Sequence, residues 1–485
     1  MTKLARLMFL AVIAGCTQVP VTTTSQPSDA QPYQASGGEQ AFLDTLSRRT
    51  FDFFWQTANP RNGLTPDRWP TKSFSSVAAV GFALTAYPIG VEHGWVPRDD
   101  ARQRVLTTLR FFWTAPQGDD PTNVTGNHGF FYHFLDMETG YRFDRVELST
   151  IDTALLLAGA LACRQYFDRS DAGDVEVRAL ADSIYARVDW RWATDGGTLV
   201  NMGWRPDAAA DQNTRGFIVS TWQGYDEGML LYILAIGSPT HPIDPAAWTE
   251  WTRTYRWDRF QGQEYVQFGP LFGHQYSHVW IDFRNVQDAY MRSRGIDYFE
   301  NSRRATLAHR TYAIANPNAW RGYGANAWGL SASDGPLDST FSVDGRPRTF
   351  HTYWAHGAAT TELNDDGTIA PTAAGGSVAF APEVSLPALL SMRRTYGDPL
   401  FGQYGFVDAF NPTLRTSATP VHHGRIVDGL SWFDTDYLGI DEGPILAMVE
   451  NWRSGFVWGL MRKNDSVVRG MCRAGFTGGW LTGRC

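Results

Sequence analysis

A basic surplus is missing from this 485-residue chain. Its 42 Lys and Arg stand against 50 Asp and Glu, a formal net charge of −8, so nothing in the composition neutralises a phosphate backbone and no nucleic-acid partner is expected. Long apolar runs are missing too: none approaches the roughly 20 residues a helix needs to span a bilayer, and the body of the protein is expected to be soluble. The phosphate-cradling G-x-x-x-x-G-K-[ST], the dinucleotide fingerprint and the G-x-S-x-G elbow are absent, which leaves nucleotide hydrolysis, nicotinamide chemistry and serine hydrolysis without a foothold. What the chain does carry is 19 Trp, 19 Tyr and 29 Phe. Such flat apolar faces with polar edges suit both a large core and the stacking of sugar rings.

The N-terminus reads as an export signal. Lys3 and Arg6 precede a short apolar stretch at residues 7–13, and the small residues Ala14 and Gly15 lead into Cys16, so residues 1–15 are expected to be a signal peptide. Ile13-Ala14-Gly15-Cys16 resembles a bacterial lipobox, which implies lipidation of Cys16 and a membrane anchor held at about 0.8 kcal/mol per buried CH₂. Thr17 follows where inner-membrane lipoproteins usually carry Asp, so an outer-membrane, periplasm-facing location is expected. Residues 16–38 are mostly Thr, Ser, Pro, Gln and Gly, a flexible leash too poor in apolar groups to offset ordering entropy. In an oxidising compartment Cys472 and Cys485 are candidates for a disulfide, of about 3 kcal/mol in the chain-entropy description. Cys163 lies in an apolar run and reads as a buried small hydrophobe.

Two kinds of helix alternate in the body. Val105, Leu106, Leu109, Phe112 and Trp113 recur at helical spacing among polar residues, as do Val177, Leu180, Ile184 and Val188; these predict surface helices. Residues 76–87, 151–163, 228–236 and 443–449 are instead apolar or small on every face, which predicts helices covered on all sides. Exterior and interior helices in alternation describe a double ring. Shared among twelve helices, the body allows about 36 residues per helix and loop, and the expected fold is an all-α (α/α)6 toroid over residues 39–465, with 466–485 as a C-terminal tail. Segments 316–324 and 365–376, rich in Pro and Gly, are expected as loops over one mouth of the ring.

Acids stand where interior helices begin. Glu147 and Asp152 flank the start of 151–163, Asp226 and Glu227 open 228–236, and Asp441 and Glu442 open the last. Each pair has an ordinary reading as helix caps that complement the dipole, at about 0.3–1 kcal/mol. In a toroid, however, all three would face one cavity, and two carboxyls across an aromatic-walled cavity are what glycoside hydrolysis needs. The acid must stay protonated, so desolvation has to outweigh the helix dipole. Glu227, preceded by Trp222 and Tyr225, is best placed for that, with Asp441 the opposing candidate.

The strings SSVAAVGF from Ser75, FYHFLD from Phe131, GSPTHP from Gly237, HQYSHVWID from His274 and GIDEGP from Gly439 resemble the glycoamylase-like domain family, which includes bacterial β-1,2-glucanases. The resemblance runs from about residue 42 to 458. It implies an (α/α)6 barrel that hydrolyses linear β-1,2-glucan to sophorose and short sophoro-oligosaccharides with inversion, and it implies no cofactor. The family's essential glutamate falls on Glu227. Acids in the segment from Asp144 through Glu147 to Asp152, and Asp441, are also implicated. Residues 208–220 look longer than the family's pattern and the end after Lys463 is unusual, which bears on chain-length preference.

His274, His278 and Asp282 share a helical spacing of four, which fits a metal set, sugar hydrogen bonding or a structural role; without the Glu of H-E-x-x-H no metal is assigned. Tyr225, Tyr276, Trp280, Trp328, Tyr353 and Trp354 are candidate sugar platforms or core residues. Arg284 serves either ring hydroxyls or a salt bridge with Asp282. The expected activity is that of a β-1,2-glucan hydrolase, the alternatives being a carbohydrate-binding lipoprotein of the same fold or a hydrolase of another glucan linkage.

Overall fold

Ser36 opens the first helix with a reciprocal cap: its hydroxyl accepts the Glu39 amide and the Glu39 carboxylate accepts the Ser36 amide, which satisfies two otherwise orphaned donors. The structure, a computed structural model, describes residues 33–207 and 215–485. The expected signal peptide, the expected lipidation site Cys16, most of the expected leash and part of the long 208–220 segment lie outside the described residues. From Ala35 to Cys485 the chain forms one unit.

Fifteen helices are present among the described residues. They are α1 (Gly37–Thr57), α2 (Val77–Glu92), α3 (Arg98–Thr114), α4 (Thr150–Tyr166), α5 (Ala172–Arg187), α6 (Met229–Gly237), α7 (Ala246–Thr252), α8 (Tyr276–Trp280), α9 (Ala289–Arg294), α10 (Tyr298–Ala315), α11 (Pro371–Gly375), α12 (Pro382–Tyr396), α13 (Gly439–Arg453), α14 (Phe456–Met461) and α15 (Asp465–Arg473). None is long and apolar enough to cross a membrane.

Burial separates two rings. Every residue of α2 from Val77 to Gly90, of α4 from Thr150 to Cys163, and all of α6, α8 and α11 is buried, as is α13 from Asp441 to Asn451. These six line the inside of an (α/α)6 toroid. Outside them, α3 buries only the stripe Ala101, Val105, Leu106, Leu109 and Phe112, and α5 only Val177, Ala181, Ile184 and their neighbours, the pattern of a one-faced helix. Inner helices α2 and α4 cross closely because two glycines meet there: a methyl group on Gly159 would lie 2.1 Å from the Gly81 carbonyl oxygen.

Residues 466–485, which the sequence sets apart as a tail, belong to the packed body. α15 lies against α6, with Gly470 set close to the Ile233 carbonyl and Gly237 to that of Ser466. Cys472 and Cys485 are joined in a disulfide and Cys163 is buried. Segment 365–376 departs from the loop expectation. Pro371 takes the first position of α11, where its missing N–H costs nothing, and this small-residue turn supplies the inner ring.

Short strands tie the inner-helix N-termini together on one side of the ring. Strands at 126–127, 130–132, 148–149, 203–205 and 216–217 form a five-stranded antiparallel sheet, and 75–76 pairs with 134–135. Two of these strands end on helix caps: Ser76 Oγ accepts the Ala79 amide and Ser149 Oγ the Asp152 amide. Strand therefore passes directly into inner helix, and the caps face one mouth.

Candidate active site

Where those N-termini converge lies a cavity of about 330 Å³. Asp152 from α4, Glu227 from the turn before α6, Tyr276 from α8 and Ile440 from α13 share its wall, joined by His133, Glu147 and Trp222 from loops and by Tyr353 from a short strand at 353–355.

Glu227 is half-buried, and its backbone is fixed by α8. Ser277 Oγ donates to the Glu227 carbonyl at 2.9 Å and accepts the Leu230 amide at 3.0 Å. Burial pushes the Glu227 carboxyl up to about 7, and the nearby Asp152 charge adds to the rise against a backbone hydrogen bond. Beneath it, Asp226 accepts the Gly228 amide at 2.8 Å; burial and the Glu227 charge hold its carboxyl well above the usual range.

The same cavity is lined by an imidazole between two acids. His133 Nδ1 lies 2.8 Å from Glu147 Oε1 and its Nε2 lies 3.6 Å from Asp152 Oδ2. Ser149 Oγ makes a short hydrogen bond to the same Asp152 oxygen, and Arg205 stands 3.6 Å from Glu147 Oε2. Burial raises the Glu147 carboxyl, but the hydrogen bond and charge of His133 outweigh it and hold the group at about 2. Burial depresses His133, yet the charges of Asp152 and Glu147 win and lift it to about 9.

Asp441 sits in the first turn of α13, buried behind the lining residues Leu438 and Ile440 rather than in the cavity wall itself. Burial, with the charges of Asp334 and Asp434, raises it to about 7. It belongs to an acidic layer organised by two cations. Arg68 donates to Asp334 at 2.6 Å and to Asp67 at 3.3 Å, and His423 Nε2 stands 2.8 Å from Asp434 and 3.4 Å from Asp436. Those two carboxylates lift His423 to about 10. Asp334, His423 and Asp434 place potential ligand atoms within 4.8 Å of one another; the Arg68 guanidinium and the His423 imidazolium already supply the positive charge a metal would bring. Tyr276 joins the two groups. Burial comes first in pushing its hydroxyl well above its ordinary value, followed by the charges of Asp441, Glu227 and Asp152.

Several residues singled out by sequence lie elsewhere. Asp144 is exposed at a turn with φ +47°, outside the cavity, because the chain reverses there before entering the 148–149 strand. His274 and His278 are fully buried; their rings meet the Phe268 carbonyl at 3.2 Å and Ser302 Oγ at 3.1 Å. Burial holds His274 at about 3 and His278 well below its ordinary value, so both are neutral core groups and not sugar contacts. α8 ends at Trp280, so Asp282 leaves their helical face and is buried against Arg284 and Arg462. Arg284 takes the salt-bridge alternative and lies 4.2 Å over the Trp458 ring.

The expected platforms divide the same way. Trp280 is wholly enclosed, its indole N–H donating to Thr85 Oγ1 at 2.9 Å, and Trp328 is equally enclosed. Tyr225 packs among Tyr255, Tyr298 and His274. Trp354 is half-buried and its ring lies 4.0 Å from that of His351. Of the expected binders Tyr276 and Tyr353 line the cavity, and Tyr353 is 62% exposed. Sequence reasoning missed His133 and the Arg68–His423 layer. Their signals were His133 inside FYHFLD and the alternating acids of Asp434-Thr435-Asp436.

The profile of the glycoamylase family, described as "Putative glucoamylase", matches residues 219–465. The exo beta-1,2-glucooligosaccharide sophorohydrolase (non-reducing end) of Parabacteroides distasonis is 28% identical over 92% of this chain, which spans 59% of that relative's length. Among solved structures, an endo-beta-1,2-glucanase from Chitinophaga pinensis in complex with sophorotriose and glucose is 27% identical with a TM-score of 0.76, covering 92% of this chain and 100% of its own. A beta-1,2-glucanase from Parabacteroides distasonis is 26% identical with a TM-score of 0.74, over 91% of this chain and 60% of its own. The matched profile spans more than half of the sequence, from before Glu227 to beyond Asp441, and the chain belongs to the glycoamylase family.

Proposed function

We propose that this protein is an inverting glycoside hydrolase acting on β-1,2-glucan, with Glu227 as the general acid. The observation that carries the reading is a carboxyl raised to about 7 by burial in the wall of a cavity that a second carboxyl, that of Asp152, also lines. A group with that value is about half protonated at pH 7 and largely protonated below it, so it can deliver a proton to the leaving glycosidic oxygen, while a second carboxyl takes one from the attacking water. Tyr276, Trp222 and Tyr353 supply apolar faces in the same wall, and the relatives named above act on β-1,2-linked glucose.

The test is a panel of linear glucans with product sizing. Release of sophorose or short sophoro-oligosaccharides from β-1,2-glucan is expected, and the size distribution distinguishes exo from endo action. Glu227→Gln abolishes turnover and leaves oligosaccharide binding intact. If the wild-type chain released no reducing ends from β-1,2-glucan, the carbohydrate-binding alternative would replace this reading; retention of anomeric configuration would refute the inverting geometry.

We also propose that the protein works outside the cytoplasm, tethered through a lipidated Cys16. The Cys472–Cys485 disulfide supports an oxidising compartment. Cys16→Ser is expected to move the chain from the membrane fraction to the soluble fraction.

A further inference from the structure

We propose that His133 is a positioning residue for this hydrolysis: as an imidazolium it takes Glu147 out of the chemistry and holds Asp152 with one oxygen turned to the cavity as the general base. The inference rests on the hydrolase reading above and adds which acid faces the water, and why.

The geometry sets the protonation state of the ring. A neutral imidazole has one N–H and one bare nitrogen lone pair. Here Nδ1 faces a Glu147 oxygen at 2.8 Å and Nε2 faces an Asp152 oxygen at 3.6 Å, so either neutral tautomer would point a lone pair at a carboxylate. Only the doubly protonated ring suits both. The backbone leaves the ring little freedom: the His133 amide donates to the Glu147 carbonyl at 2.9 Å, and its carbonyl accepts the amide of Val77, the first residue of α2, at 3.2 Å. The ring also stacks on Phe134 at 4.0 Å.

The two acids are then unequal. Glu147 has a cation at each oxygen, His133 at Oε1 and Arg205 at Oε2, which makes it a poor acceptor for a proton from water. Asp152 uses only Oδ2, taken by Ser149 Oγ and faced by His133. Its Oδ1 accepts no hydrogen bond from any described residue, and the side chain lines the cavity that Glu227 also lines. The other charges facing this group are Asp67, itself paired with Arg68, and Glu227 across the cavity. In the reaction the water oxygen bonds to the anomeric carbon as the glycosidic C–O bond breaks. The water proton passes to Asp152 Oδ1 and the Glu227 proton to the leaving oxygen; exchange with solvent then restores both.

The experiment compares His133→Asn, His133→Arg, Glu147→Gln and Asp152→Asn in the full chain on β-1,2-glucan, with kcat and KM measured across pH. Asp152→Asn lowers kcat by about 10²–10⁴-fold, as loss of a general base does, while Glu147→Gln, which removes a partner of His133 and not the base, lowers it by at least tenfold less than Asp152→Asn. His133→Asn lowers kcat/KM and moves the acid limb of its pH profile up by about 1 pH unit, the effect of removing a neighbouring opposite charge. The alkaline limb, set by Glu227, stays in place. His133→Arg restores the position of the acid limb. A His133→Asn profile that scales down without moving would reduce His133 to a structural role, and Glu147→Gln as damaging as Asp152→Asn would overturn the assignment. If His133→Asn does not fold, the contrast between Glu147→Gln and Asp152→Asn decides. A Glu227→Gln variant that still turned over would instead refute the hydrolase reading itself.

Discussion

Replacing Glu227 with Gln is expected to make the protein inactive and, above neutral pH, more stable. Burial raises this carboxyl from its ordinary 4.5 to about 7, and each pH unit of such a difference between folded and unfolded chains corresponds to about 1.36 kcal/mol. The folded state therefore carries a penalty of roughly 3 kcal/mol once Glu227 is ionised in both states. The sign follows from proton uptake. Below 4.5 the group is protonated whether the chain is folded or not, and the full stability is present; between 4.5 and about 7 only the unfolded chain loses the proton, and stability falls as pH rises. Gln has nearly the same shape and no proton to lose. Guanidinium melts of wild type and Glu227→Gln at pH 4.5, 6 and 8 would show the difference growing from near zero to roughly 3 kcal/mol in favour of the variant, as a shift of midpoint at constant slope. A stability difference that does not change with pH would refute the claim that Glu227 is a desolvated acid, and with it the reason for casting it as the proton donor.

Wild-type kcat is expected to fall as pH rises through about 7, where Glu227 loses its proton; a rate still rising at pH 9 would contradict the assignment. Gly159→Ala places a methyl 2.1 Å from the Gly81 carbonyl oxygen, and forcing α2 and α4 apart should cost about 1–3 kcal/mol in denaturant melts. Tyr353→Ala removes an exposed cavity aromatic, so KM should rise by roughly 3–10-fold with the melt unchanged. Cys472→Ser with Cys485→Ser opens a cross-link between residues 13 apart; a loss of about 2–4 kcal/mol is expected, with faster amide exchange in α15 as its local sign.

The interior helices were readable from the chain because all-round burial leaves a local mark. Residues 76–87, 151–163, 228–236 and 443–449 became α2, α4, α6 and α13, each buried through most of its length. The other two inner helices were not readable. α8 and α11 have five residues each, little more than one turn, and periodicity needs a longer window to separate helix from loop. Acids at helix starts were equally visible, since capping is a local rule.

Local sequence signals were thus enough for the ring and for the acids at its inner openings, Glu227 among them. Which aromatics meet the cavity, and which partners each acid has, depended on contacts between distant segments of the chain. Trp280 is enclosed because its indole meets Thr85, 195 positions away, and Arg284 covers Trp458 instead of reaching a ligand. His133 matters only because Glu147 and Asp152 are folded onto its two nitrogens. Helical period and capping are set by residues a turn or two apart, whereas burial and charge are sums over neighbours that chain order does not reveal.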